Sequence, residues 1–580
     1  MYHDASSSKE QALLTELTQR HLPLISRAHE VLRSREHWSP YPEDPAAYGD
    51  QGAAEGERAF RERLGRPFAL DQPGRDATVG PAAEDGGEVS PYGFPLGISY
   101  PHSDPAVLLP AMRAAMPPWR AAGPDARAAV CAEILARLAS RSHELARAAM
   151  HTSGHNPVMA FHAGAAHALD RGLEAVAQAH AEQTRLPAAL TWRKPLADGR
   201  IFALDKSFSA VPRGISLLVA GSVFPTWNGY PGLFASLATG NAVLVKPHPR
   251  AVLPLALTVR TAREVLIEAG FSPDLVALAP ERPGEALAKR LAVHPDVAIV
   301  DYAGTTAFGG WLTANATQAQ VYTSTSAVNS LLVESTPHYR DMLDNLAFSL
   351  ALYSGQLCTS PQNILVPRDG IATDQGHKTF DEVLADLGAA LDRLLADDAA
   401  AAAVLGALYA PHVRERVEFA DSGRLGTVAH HTRAVVHPDF PDAVVRTPVL
   451  LRLDAARDRD RVTLAAEWPG PVVLVAAVDS ASAGVALIAR TVRHSGALSV
   501  GAYTTSPDVE RALEDACADS GVMLSLNLTG DWYLTQSAVY SDLHGTGLNP
   551  AGNASYCDAA FVANRFRTVA VRRKAADGFM

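Results

Sequence analysis

Cysteine is scarce in this chain of 580 residues: there are four, Cys131, Cys358, Cys517 and Cys557. They are widely scattered with no CxxC pair, which argues against a disulfide framework and for a reducing compartment. Basic excess is lacking too. The formal net charge is −11, which leaves no basic face for nucleic acid and no polybasic membrane anchor. The opening Met1-Tyr2-His3-Asp4 has no basic start followed by an apolar run, so no signal peptide is expected. Apolar stretches such as residues 214–224 and 472–478 are too short to span a bilayer and read as buried strands. The expected address is cytoplasmic. Internal repeats and the three-glycine dinucleotide fingerprint are also missing.

The length calls for two or three domains. Residues 1–72 look helical and charged, with apolar spacing over 13–32, and read as an appended cap or arm. Residues 73–95 are rich in Gly, Pro and Asp and read as a linker or surface loop. Residues 104–180 are strongly helical, with Leu108, Met112, Met116 and Trp119 on one face and Val130, Ile134, Leu138 and Leu145 on another. Pro117-Pro118 and Gly123-Pro124 interrupt that pattern. From 214 onward strands at 214–221, 242–246, 274–278 and 297–300 alternate with helices at 230–239, 253–269 and 284–293. From 330 the alternation restarts. A helix at 339–354 and an alanine-rich one at 397–410 accompany strands at 331–333, 364–366, 449–453, 472–477, 498–503 and 523–526. This is an α/β pattern, with parallel sheets covered by helices.

Gly355-Gln356-Leu357-Cys358-Thr359 places a thiol after a predicted helix and before an apolar strand. A thiol beside backbone donors can be held as a nucleophilic thiolate; a lone cysteine can equally be buried and inert. Gly304 and Gly309 follow a strand at the mouth of a helix, where close approach by a phosphate is possible. Lys246, at the carboxyl end of a strand and stopped by Pro247, either points into a ligand crevice or is solvated. His430, His431 and His437 read as a surface loop, and no metal site is expected.

Thr239-Gly240-Asn241, Lys246-Pro247, Gly304 with Gly309, Gly355-Gln356-Leu357-Cys358 and Glu467-Trp468-Pro469-Gly470-Pro471 stand in the order seen in the aldehyde dehydrogenase superfamily, which this chain resembles from about residue 104 to its end. Ser90-Pro91-Tyr92-Gly93-Phe94-Pro95 and Phe224-Pro225-Thr226-Trp227-Asn228 are similar to stretches of the phenylacetate-degradation proteins of the PaaN type. The resemblance implies an aldehyde dehydrogenase-like fold. A Rossmann-type dinucleotide domain would lie within 96–325 and a catalytic domain within 326–540. A β arm would come from about 192–212 and from the return segment 541–580, behind an N-terminal extension over 1–95. It implies that Cys358 attacks a carbonyl and passes through a thiohemiacetal to a thioester. Lys246 would bind the adenosine ribose and Glu467, in its turn with Pro469, the nicotinamide ribose, with Gly304, Thr305 and Gly309 near the pyrophosphate. Asp542, His544 and Gly545-Thr546-Gly547 would border the substrate tunnel or form a plain turn. The arm implies at least a homodimer, or a homotetramer.

Two positions depart from the family pattern. Counting back from Lys246 without a gap, the oxyanion-holding asparagine is replaced by Val223, with Asn228 a possible substitute. Counting back from Cys358, the water-activating glutamate is replaced by Ser324, a poor base. Three readings stay open. The enzyme hydrolyses the thioester with another base such as Glu467; it exchanges the acyl group with coenzyme A, or runs in reverse as an acyl-thioester reductase; or it is a binding or scaffold protein without catalysis. The substrate would be an aldehyde or acyl thioester. Pro249 stands where NAD-preferring relatives carry a carboxylate, with His248 and Arg250 close by, so NADP is expected ahead of NAD.

Overall fold

In the computed structural model, residues 2–532 and 538–579 are described, with side chains from residue 12 to 576 within those spans. The short apolar runs form two parallel sheets. The first has five strands, ordered Val276–Leu278, Ala242–Lys246, Ile215–Val219, Val297–Ala303 and Gln320–Ser324, all parallel. Its central strands are buried on both faces, as helix-covered parallel sheets require. The second has seven strands, in the order Thr427–His430, Val449–Asp454, Val472–Val478, Asn363–Pro367, Ser330–Val333, Ser499–Tyr503 and Met523–Leu526. All of its pairs are parallel except the antiparallel edge Thr427–His430. Among the described residues no helix is long and apolar enough to cross a membrane.

A separate antiparallel ribbon joins Ala189–Pro195, Ile201–Pro212 and Phe566–Phe579. Every side chain of Ala189–Pro195 is exposed. The ribbon is rooted by Arg565, fully buried and bidentate to Asp301 at 2.6 and 2.8 Å, and also donating to Ser236. Asn241 of Thr239-Gly240-Asn241 serves the same root. Its amide donates to the Arg565 carbonyl at 3.0 Å and its oxygen accepts from Gly214.

Several sequence expectations need correction. Residues 73–95 lie largely at the surface, as expected, but they are not a free linker. Arg75–Val79 pairs with Tyr100–Ser103, and buried Glu88 accepts the N–H groups of Val252 and Leu253, capping the helix Leu253–Glu268. Nor is the N-terminal segment an appended arm. Leu17, Ile25, Tyr41 and Phe60 belong to the same apolar core as the five-stranded sheet. Pro117 and Pro118 do not interrupt their helix, which runs Pro105–Ala121 with both inside its last two turns. The alanine-rich helix is shorter than expected, Asp398–Val404, capped by the Asp397 side chain on Ala400. The helix before the cysteine ends at Ala351.

Candidate active site

The turn that delivers Cys358 is unusual in its backbone. Tyr353, Ser354 and Gly355 all have left-handed φ, at 51°, 52° and 60°. For the two side-chain-bearing residues this costs about 1–3 kcal/mol each and persists only where the surroundings impose it. Here they do. The buried Tyr353 hydroxyl donates to the Ser153 carbonyl, and Ser354 Oγ donates to the Gly406 carbonyl at 2.9 Å. A Cβ on Gly355 would stand 2.6 Å from the Gly470 carbonyl oxygen. The Gly355 turn and the Glu467–Pro471 turn are therefore pressed together, and only glycine fits between them.

Cys358 lies where two cavities meet. One, of about 800 Å³, runs along the carboxyl ends of the five-stranded sheet and reaches the Glu467 turn. The other, of about 370 Å³, is lined mainly by apolar side chains from helices, among them Val158, Met159, Phe224, Trp227 and Phe348. The sulfur contacts His544 Nε2 at 3.9 Å. Burial pushes the thiol up to about 12, with Glu467 adding to the rise and the backbone N–H groups of Cys358 and Thr359 opposing it. Of the two sequence alternatives, burial therefore favours the neutral thiol over the thiolate. Burial pushes His544 down to about 3, helped by Arg171, so its imidazole is neutral.

Of the two substituted positions, Ser324 lines the large cleft. Its carbonyl accepts from Gly304 at 3.0 Å. Val223 also reaches the cleft, but its side chain packs with Phe224, Tyr353 and Leu357 while its carbonyl accepts from His155 at 2.6 Å. Valine offers no donor, so Val223 is not an oxyanion residue. Asn228 lines the same cleft, and its Oδ1 is buried without a hydrogen-bond partner among the described residues. A buried amide oxygen without a partner is rare in a native interior, and this one borders the cleft. Asn228, named from the sequence as a substitute for Val223, shares the cleft with that valine.

Glu467 sits in the cleft beside the sulfur. Burial raises its carboxyl above the usual range, while Ser326, the Ala327 N–H at 3.3 Å and Arg416 pull it back. Pro469 lines the cleft next to it, and its carbonyl accepts from Arg416 at 2.7 Å. At the far end Lys246 is buried and ion-paired with Glu281, a residue the sequence reading overlooked. Glu281 lies just beyond the strand Val276–Leu278, and its other oxygen accepts the Leu287 N–H at 2.7 Å. A lone glutamate in a loop carries no signal that it will fold back against a lysine 35 positions earlier in the chain. His248 lines the cleft but is pushed down to about 4 by burial, Lys246 and Arg250, so it is neutral. Arg250 is exposed at the rim.

Gly304 and Thr305 line the cleft, and a Cβ on Gly304 would collide with the Tyr302 ring. Thr305 caps the helix Thr306–Asn315 through Phe308 N–H. Gly309 differs from expectation. It is buried, with a Cβ there 2.7 Å from Thr325 Cγ2, so it lets the helix pack closely and does not face the cleft. The three loop histidines are dispersed: His430 pairs with Asp392, His431 with Asp421, and His437 packs on Tyr92 and Phe440.

The aldehyde dehydrogenase family model matches residues 102–518. The chain is similar to the solved NAD-dependent aldehyde dehydrogenase from Burkholderia multivorans, with 48% identity, a TM-score of 0.93 and coverage of 96% of this chain and 98% of that one. It shares its fold with the 1-pyrroline-5-carboxylate dehydrogenase from Thermus solved with bound NAD, at 18% identity and a TM-score of 0.72, over 93% of this chain and 99% of that one. Among curated proteins, an aldehyde dehydrogenase of Fusarium sp is 24% identical over 28% of this chain and 34% of its own length. The bifunctional aldehyde-alcohol dehydrogenase AdhE of Escherichia coli is 25% identical over 36% of this chain and 24% of its own. The chain thus spans about a third or less of the curated relatives it matches. The matched model, the two sheets and the cysteine between two cavities agree: the chain belongs to the aldehyde dehydrogenase family.

Proposed function

We propose that this protein is an NAD-dependent aldehyde dehydrogenase acting through Cys358. The observation that carries this reading is the sulfur standing at the junction of a polar cleft and an apolar cavity. The cleft fits a dinucleotide. It has the volume, a glycine-floored turn at Gly304, and the buried Lys246–Glu281 pair at one end with Glu467 at the other. Lys246 and Glu281 would hold the adenosine ribose, Gly304 and Thr305 the pyrophosphate, and Glu467 the second ribose. When bound, the dinucleotide supplies a hydride acceptor. Glu281 favours NAD: its carboxylate can accept from a ribose 2′-hydroxyl and repels a 2′-phosphate, which neutral His248 does not offset. The NADP expectation, argued from Pro249 with His248 and Arg250 close by, gives way to this carboxylate.

The chemistry assigned to the chain's own groups is as follows. Cys358 Sγ adds to the aldehyde carbonyl, and the S–H proton passes to the Glu467 carboxylate, whose proton affinity burial raises, and on to solvent as the carbon–sulfur bond forms. The developing oxyanion is held by the Asn228 amide and the backbone N–H of Cys358; one such donor is typically worth about 3 kcal/mol. Loss of hydride from that oxyanion leaves a thioester on the sulfur. Glu467, with its raised carboxyl, is the base in reach for the water that releases the acid. An aldehyde from aromatic, phenylacetate-type catabolism suits the apolar cavity, and the exposed ribbon strand is the surface on which copies would pair as a homodimer or homotetramer.

One observation favours a second reading. Ser324 leaves the cleft without a carboxylate at that position, so a thiol such as coenzyme A would resolve the thioester instead. Mixing the protein with phenylacetaldehyde and NAD, with and without coenzyme A, separates the two by absorbance of the reduced cofactor. Sustained turnover without the thiol supports hydrolysis, turnover that requires it supports acyl transfer, and no turnover or burst with either rejects the enzymatic reading.

A further inference from the structure

The outer end of the apolar cavity carries a polar cluster that the reaction above does not use. Glu43, His162 and His167 each offer one donor atom, and the three atoms lie within 4.8 Å of one another. All three residues line the cavity that leads to Cys358. They come from two segments far apart in sequence. His162 opens a π-turn, His162–Ala166, closed by a hydrogen bond from the His167 N–H to the His162 carbonyl. In an α-helix, residues five apart point about 140° away from each other. The wider turn brings these two onto one side, with ring centroids 5.5 Å apart. Single π-turns inside helices occur mostly at functional sites.

Glu43 reaches them from the N-terminal segment, where its Oε1 lies 2.6 Å from His167 Nε2. That segment is held in place on both sides. Ser39 Oγ donates to Asp170, on the helix that His167 begins, at 2.7 Å; Asp44 caps the turn Pro45–Tyr48 through the Ala46 N–H. The donors are therefore pre-positioned by packing that does not depend on a ligand.

We propose that Glu43, His162 and His167 form a binding site for a divalent transition metal of the zinc type, at the mouth of the substrate cavity. Two imidazoles and one carboxylate are a donor set that zinc takes at about 2.0–2.2 Å, leaving a coordination position open. The ion would sit between Glu43 and His167, whose present 2.6 Å contact must widen by at least about 0.7 Å to fit tetrahedral bonds of about 2.0–2.2 Å, and the open position would face the cavity. There it clasps the N-terminal segment onto the π-turn and presents a Lewis acid to an oxygen at the far end of a bound substrate.

The test is metal stoichiometry, which does not depend on aldehyde turnover. The full chain carrying Cys358→Ser, which removes the thiol as a competing ligand, is incubated with zinc chloride, dialysed and assayed for metal. The expected result is one equivalent retained per chain, and a visible absorption band of tetrahedral geometry when cobalt replaces zinc. Glu43→Gln, His162→Asn and His167→Asn, each added separately, should abolish stoichiometric retention while thermal melting stays cooperative. Anomalous diffraction at the zinc edge on the Cys358→Ser chain locates the ion even if a variant fails to fold. Retention below a tenth of an equivalent, retention unchanged in the three variants, or an ion found elsewhere overturns the proposal.

Discussion

The two cavities that meet at Cys358 are built in opposite ways. The large cleft is assembled from the ends of strands. Lys246, Ala303 and Ser324 each close a strand of one sheet, and short turns add Gly304 and Glu467. The apolar cavity is assembled from helices, the π-turn and the N-terminal segment, with His544 contributed from near the other end of the chain. Strand ends place polar atoms at fixed positions along a sheet edge, which suits a ligand that is the same from one relative to another. Helical walls tile an apolar surface whose shape depends on every side chain, which suits a ligand that differs.

Four experiments would break or sharpen this contrast. Replacing Cys358 by Ala removes the one atom both cavities share. Turnover should fall by at least roughly 10,000-fold, while dinucleotide binding, followed by fluorescence, persists; a loss of binding would mean that the cleft is not independent of the sulfur. Asn228→Ala should lower kcat by roughly 100- to 1,000-fold, with little change in the KM for NAD. An effect confined to KM would move Asn228 from the oxyanion to the cofactor.

The third probes the sulfur's surroundings. A thiol pushed up to about 12 is less ionised at any given pH than an ordinary one, so alkylation of cofactor-free Cys358 should rise without a plateau through pH 10. The expected slope is roughly tenfold per pH unit. Mass spectrometry of the peptide bearing Cys358 reads this directly, and a plateau near pH 7 would show a resting thiolate. The fourth concerns the remote end of the cleft. Glu281→Gln should shift the NAD-to-NADP preference, as a ratio of kcat/KM, by about tenfold toward NADP, leaving aldehyde selectivity untouched.

What could be read in advance follows the same divide. The starts of the strands at 449 and 472 were visible because buried parallel strands are short runs of Val, Leu and Ala bounded by turn residues, and the half-buried edge strand 523–526 was visible as a short apolar run after Gly521. Cys358, Lys246 and Glu467 were visible because each sits in a local motif at such an edge. Glu281 and the Glu43 segment were not recognised as lining these cavities, and His544 was named only as a border of the tunnel or part of a plain turn. Each is brought in by long-range packing, and nothing in its neighbours along the chain records the partner. Asn228 was named from the sequence, but that it borders the cleft with a buried, unpartnered oxygen could be read only from the packing. The 73–95 segment misled because Gly, Pro and Asp mark turns, and here the turns lead into a strand and a buried helix cap.

The junction at the sulfur has a kinetic consequence. On the reading proposed above, dinucleotide and aldehyde would reach it through separate cavities, so neither would have to wait for the other to clear its route. A spent cofactor would then be exchangeable while the acyl group is still attached, and the oxidant reloaded before the acid is released.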